Sequence, residues 1–204
     1  MRRWRHLSHY FENDARLVSK PEHVTFTFKE RSFTFQSDRG VFARRGLDQG
    51  SRLLAETLLK RGLGTKILDL GCGIGVIGLL LASFLKDIEV TMTDINVRAA
   101  ALAKANAAAL GLSSRVSVVS GDRYENVGGT FDAIVTNPPI RAGKAVVYAM
   151  YDESKDHLKA TGRLYVVIRK AQGAESSYQH LRTIYPHVER IARGDGYHIY
   201  EAHN

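Results

Sequence analysis

The chain is 204 residues long, 44% hydrophobic and 25% charged, which at roughly 150 residues per domain describes one globular domain with room for an appendage and excludes a fibrous repeat or a disordered tail. Its formal net charge is +8, so its surface attracts polyanions. Cys72 is the single cysteine and cannot close an internal disulfide, no run of about 18 apolar residues exists, and the opening MRRWRHLSHYFEND lacks a signal-peptide core; these features predict a soluble cytoplasmic protein.

Residues 1–66 carry fourteen Lys and Arg against seven Asp and Glu, whereas residues 67–204 carry fifteen against fourteen. The basic character is therefore expected at the amino-terminal end. There Arg2, Arg3, Arg5, Arg16, Lys20, Arg39, Arg44 and Arg45 interleave with Trp4, Tyr10 and Phe11, a mixture suited to phosphates and unstacked bases. Val24, Phe26 and Phe28 alternate with Thr25 and Thr27, and Phe33 and Phe35 repeat the period, which predicts a hairpin with one apolar face. Residues 1–47 thus read as a basic segment with a small β appendage, and residues 48–204 as the main domain.

From Asp48 the pattern changes. Asp48 or Ser51 is placed to cap a helix in which Leu54, Ala55, Leu58 and Leu59 share a face, ending near Gly62. Strands are expected at Ile67–Leu70, Glu89–Thr93, Val116–Val119, Phe131–Thr136 and Arg163–Ile168, with helices at Val76–Leu85 and Ala99–Leu110. Strands separated by helices make a doubly wound, mostly parallel sheet, an α/β fold. Val188–Arg193 and Tyr197–Ala202 flank Gly194-Asp195-Gly196 and read as a hairpin that closes the sheet with an antiparallel strand.

The turn after the first sheet strand is Asp69-Leu70-Gly71-Cys72-Gly73-Ile74-Gly75. Glycines there let the backbone approach a ligand beyond the strand ends, where open α/β sheets bind nucleotides. A dinucleotide fingerprint needs a glycine at Val76 and has no place for Asp69, since a pyrophosphate sits at that helix N-terminus. A carboxylate suits a cationic ligand, and S-adenosyl-L-methionine carries an ammonium and a sulfonium. Asp94 ends the second strand 23 residues after Gly71, the place of a carboxylate that accepts bonds from ribose hydroxyls. Asp122, one strand further along the same edge, is placed to accept from an adenine amino group. Asn137-Pro138-Pro139-Ile140 follows the fourth strand; the prolines stiffen the turn, so the Asn137 side chain and the Pro138 carbonyl are expected as paired acceptors for a flat amino group.

These motifs, in this order, resemble those of Rossmann-like class I S-adenosylmethionine-dependent methyltransferases that act on amino nitrogens. The wider pattern, His9-Tyr10-Phe11, Ser37-Asp38-Arg39-Gly40-Val41-Phe42, Asp48-Gln49-Gly50-Ser51-Arg52-Leu53-Leu54, Arg141-Ala142-Gly143-Lys144 and Val166 to Ala174, is similar to the small-subunit ribosomal RNA guanine-N2 methyltransferases. The resemblance implies a seven-stranded sheet, S-adenosyl-L-methionine as cofactor, and ribosomal RNA or the small ribosomal subunit as partner. It implies cofactor contacts from Asp69, Gly71, Gly73, Gly75, Asp94, Ile95, Asp122 and Asn137, and a catalytic set of Asn137, Pro138, Pro139 and Ile140. Two departures are visible: longer family members carry a degenerate methyltransferase copy in front, and many have an aromatic residue where Ile140 stands. A protein glutamine or small-amine acceptor, or an RNA-binding protein without catalysis, are the other readings. The eight histidines show no zinc-ligand spacing, so no metal is expected.

Overall fold

A computed structural model describes residues 19–41 and 46–204. Of the basic and aromatic amino-terminal set, Arg2, Arg3, Trp4, Arg5, Tyr10, Phe11, Arg16, Arg44 and Arg45 lie outside the described residues, as do His9 and Phe42.

Strands β1 (Glu22–Phe28) and β2 (Arg31–Ser37) pair antiparallel, with Val24 opposite Phe35 and Phe26 opposite Phe33. Lys29 and Glu30 both take positive φ at the turn, the hand that matches the twist of the flanking strands. One face of the hairpin is apolar, as the alternation predicts, and Phe28, Phe33 and Phe35 are buried. The hairpin shares a single core with the main domain: the rings of Phe28 and Phe84 meet edge to face at 5.6 Å.

The remaining chain is helix α1 (Gln49–Leu58), β3 (Lys66–Leu70), α2 (Val76–Phe84), β4 (Glu89–Asp94), α3 (Val97–Ala109), β5 (Val116–Ser120), β6 (Phe131–Thr136), α4 (Lys144–His157), β7 (Leu158–Arg169), α5 (Ala174–Ile184), β8 (His187–Gly194) and β9 (Tyr197–His203). The seven-stranded sheet runs β5-β4-β3-β6-β7-β9-β8. Its first five strands are parallel, and β9 lies antiparallel between β7 and β8. Side chains alternate between two cores. Ile67, Val135 and Val167 face α1, α2 and α3, whereas Leu68, Ile134 and Val166 face α4 and α5. Burial on both faces explains why these strands read as unbroken apolar runs.

The helix over residues 49–58 is capped by Asp48, whose Oδ1 accepts from the Gly50 and Ser51 N–H groups at 2.9 and 3.0 Å. It ends at Leu58, short of Gly62. Asn96 caps α3, which begins at Val97, two residues ahead of the expected start. The fifth parallel strand begins at Leu158 rather than Arg163, because Leu158 pairs with Phe131 ahead of an irregular register. Among the described residues no helix is long and apolar enough to cross a membrane, and no group of three His, Cys, Asp or Glu is arranged to hold a metal.

Candidate functional site

In a doubly wound sheet the ligand crevice opens beyond the carboxyl ends of the parallel strands, where the strand order reverses. Here the reversal falls between β3 and β6, so the glycine turn after β3 and the Asn137 turn after β6 emerge side by side. Asp94 and Asp122 follow on the adjoining strands β4 and β5.

The glycine turn is braced from β4. The Thr93 carbonyl accepts from the Gly71 and Cys72 N–H groups, each at 2.9 Å, and Asp94 Oδ2 accepts from the Gly73 N–H at 2.8 Å. Asp94 Oδ1 meanwhile accepts from the Asn96 N–H at 2.8 Å. Gly75 has φ of +88° and enters α2 with no side-chain cap; a Cβ there meets Leu79, Ala103 and Met92 at 3.0–3.2 Å. Only glycine combines that left-handed backbone with that packing. The carboxylate of Asp94 therefore shapes the loop as well as standing at the expected strand end.

Asp69 is buried, 1% exposed. Its Oδ2 accepts from the Gly78 N–H at 2.8 Å, while Oδ1 is buried without a hydrogen-bond partner. Burial is the main cause that pushes its carboxyl up to about 7, with the nearby Asp94 adding to it and the Gly78 bond opposing. Burial likewise raises Asp94, against the bonds from Asn96 and Gly73. An orphaned buried carboxylate oxygen costs desolvation without return, so a cationic or hydrogen-bonding group placed against it is favoured. Gly78 is a residue that motif spacing does not single out. A Cβ at this position meets Met92 Sδ at 2.8 Å and Asp69 Oδ2 at 3.0 Å, and a glycine inside a helix, against propensity, is the sequence signal of such a close approach.

Asn106 is a second unforeseen brace. Buried on α3, it accepts from the Gln36 N–H at 2.7 Å and donates to the carbonyls of Gln36 and Ile74 at 3.1 and 3.0 Å. It ties the hairpin to the glycine turn. Ile95 is 40% exposed beside Asp94, an apolar side chain open at this edge. Asp122 lies on the same edge, paired with Arg123 at 2.8 Å, while Arg123 also bonds Glu153.

On the other side, Asn137 Nδ2 donates to Ser51 Oγ at 3.0 Å and approaches Asp48 Oδ1 at 3.5 Å. Ser51 in turn donates to Asp48 Oδ2 at 2.6 Å. The cap of α1 thus fixes the amide with its nitrogen inward, and the rotamer leaves Oδ1 as the acceptor. Pro138 is buried, and its carbonyl accepts from the Ile140 N–H at 2.9 Å across Pro139, whose φ of −75° and ψ of 79° make an inverse γ-turn. That carbonyl keeps a second lone pair. Ile140 opens a short 3-10 turn and packs on the α4/α5 core. The link from Asp48 and Ser51 to Asn137 spans 89 and 86 residues of sequence, beyond any local pattern.

This arrangement, a glycine turn braced by strand-end carboxylates beside an Asn-Pro-Pro turn on a seven-stranded sheet, is that of a class I S-adenosylmethionine-dependent methyltransferase. Residues 32–201 match the model of the methyltransferase small domain, and the chain belongs to that family. It is 41% identical over 196 residues to the uncharacterized protein YbxB of Bacillus subtilis, covering 95% of this chain and 97% of that one. It is 37% identical over 161 residues to the ribosomal RNA small subunit methyltransferase C of Erwinia tasmaniensis, covering 75% of this chain and 46% of that protein. Among solved structures, the T. thermophilus 16S rRNA N2 methyltransferase RsmC in complex with AdoMet and guanosine superposes with a TM-score of 0.80 at 25% identity, over 92% of this chain and 52% of that one. The chain thus spans about half the length of these two ribosomal RNA methyltransferases. A Lactobacillus ribosomal protein L11 methylase, 20% identical with a TM-score of 0.63, shares the fold.

Proposed function

We propose that this protein transfers a methyl group to an exocyclic amino nitrogen of a base in ribosomal RNA, with guanine N2 of the small subunit as the base that the relatives favour. The observation that carries this reading is the Asn137 amide, held by Ser51 and Asp48 so that its oxygen is left as an acceptor beside the Pro138 carbonyl. Two fixed acceptors match the two hydrogens of a flat amine. The RsmC relative was solved with AdoMet and guanosine, and the methyltransferase C relatives act on ribosomal RNA of the small subunit.

The residues present fit S-adenosylmethionine. Asp69 Oδ1 is a buried acceptor awaiting a donor, Gly71 and Gly73 allow close approach, Asp94 stands at the strand end, Ile95 offers an apolar face to a flat ring, and Asp122 follows the neighbouring strand on the same edge. When bound, the cofactor supplies an electrophilic methyl on its sulfonium. Asn137 Oδ1 and the Pro138 carbonyl orient the acceptor amine and stabilise the positive charge that grows on its nitrogen during attack. Ser51 and Asp48 keep that amide from rotating, and Ile140 gives the base an aliphatic contact. The amine becomes acidic only as it gains the methyl, so its proton leaves to water without a strong base.

The test is the partition of labelled methyl groups when the protein and labelled S-adenosylmethionine are given a mixture of unmodified ribosomal RNA and ribosomal protein. Label in the RNA supports the reading; label in protein alone favours the glutamine or small-amine acceptor.

A further inference from the structure

We propose that the acceptor half of the sheet edge continues into a second surface, made by Arg141, Lys144, Lys170, Arg190 and Arg193 around His198, that holds the phosphodiester backbone of an RNA beside its target base. The inference rests on the RNA reading above and deepens it.

The sheet order places β7, β9 and β8 on the far side of β6 from the cofactor strands. Across them the register forms two rows: Val166 beside Tyr200 beside Arg190, and, nearer the edge, Ile168 beside His198 beside Arg193. Members of one row point to one face of the sheet, and Val166, Ile168 and Tyr200 belong to the α4/α5 core, so Arg190 and Arg193 lie on that face. Lys170 is fastened at the same edge by its N–H, which donates to the Gly196 carbonyl at 2.7 Å. The proximity of the cations is felt at His198: burial first, then the charges of Arg190, Lys170 and Arg193, hold its imidazolium below the ordinary range, with Glu175 opposing.

A hollow lined by Ile140, Lys144, Tyr148, Ile168, Gln172 and Ser176 joins this ground to the acceptor turn. Its lining includes Ile140 of the acceptor turn and Ile168, which stands in the row of His198 and Arg193. Arg141 and Lys144 are exposed on the acceptor side, as are Arg169, Lys170, Arg190 and Arg193 beyond it. The acidic residues near these cations in sequence are Glu175, Glu189 and Asp195; Glu189 pairs with Glu201 across the strands, outside the rows of Arg190 and Arg193. Several arginines elsewhere are matched with carboxylates: Arg61 and Arg163 with Glu201, Arg98 with Asp38, Arg123 with Asp122 and Glu153. Among the described residues none of the five proposed cations has an ion pair. Like charges gathered without counter-charges repel, and a polyanion relieves them.

The experiment measures binding of a fluorescently labelled 16S ribosomal RNA transcript to the full chain across a salt series. Each phosphate neutralised contributes ~0.7–0.9 to the slope of log affinity against log salt, so the double variant Arg190→Gln/Arg193→Gln should lose ~1.4–1.8 from the wild-type slope. Its S-adenosylmethionine affinity and melting temperature should stay unchanged. The control Lys86→Gln/Lys104→Gln removes the same charge from exposed positions outside these segments and should keep the wild-type slope. A wild-type slope retained in the arginine variant, or an equal loss in the control, overturns the surface while leaving the RNA reading intact. A wild-type protein without salt-dependent RNA affinity overturns both.

Discussion

The two halves of the sheet edge are built in opposite ways. On the β3, β4 and β5 side, carboxylates are sunk into the fold and hydrogen-bonded to backbone N–H groups: Asp69 to Gly78, Asp94 to Gly73 and Asn96. On the β6, β7, β9 and β8 side a single amide is locked by a helix cap, and beyond it exposed cations stand without carboxylate partners. A buried carboxylate with a free oxygen suits a small cationic ligand that displaces all water, whereas exposed arginines suit a large polyanion that stays partly hydrated. The division predicts that each half can be damaged without the other.

The largest effect is expected in the acceptor half. Asn137→Ala should lower single-turnover methylation of RNA by about 10²–10³-fold, the range for removing one preorganised polar group, while calorimetry shows unchanged S-adenosylmethionine affinity. Equal losses of rate and cofactor affinity would break the division. In the cofactor half, Asp94→Ala removes the partner of two loop N–H groups, and S-adenosylmethionine binding should weaken by about 1.5–3 kcal/mol. RNA affinity measured without cofactor should not move.

Asp69 sharpens the contrast through pH. Its carboxyl is raised to about 7 in the fold, above its unfolded value, so the folded state holds the proton more tightly. That contribution is present below about pH 4 and is lost as pH rises towards 7, at up to roughly 1.4 kcal/mol per pH unit. Denaturant unfolding of the cofactor-free protein at pH 5 and pH 8 should show a larger loss in the wild type than in Asp69→Asn. Parallel losses would mean that the buried carboxylate is not strained.

The parallel sheet was legible because its strands are buried on both faces, which leaves apolar runs such as Ile67–Leu70 and Phe131–Thr136 that only the interior of an α/β fold accommodates. The glycine turn and its carboxylates were legible because they lie together in sequence. Helix α4, Lys144–His157, was not marked out, since its polar residues dilute the apolar period and only Val147, Met150, Tyr151 and Ser154 are buried. The brace from Asp48 and Ser51 to Asn137 depends on two elements meeting, and capping chemistry alone gives no hint of the second partner. Charge counting pointed to the amino-terminal end because residues 67–204 are nearly neutral in sum. Folding separates that sum, pairing Asp122, Glu153 and Glu201 with arginines elsewhere and gathering Lys170, Arg190 and Arg193 at one edge.

The central claim is the chemical identity of the methylated atom, and nucleoside mass spectrometry tests it most directly. Unmodified 16S ribosomal RNA, incubated with the protein and S-adenosylmethionine bearing a deuterated methyl group, then digested to nucleosides, should yield labelled N2-methylguanosine in wild-type samples and a trace of it with Asn137→Ala. Label on a ribose oxygen or a ring nitrogen, or no label in any nucleoside, would contradict the account.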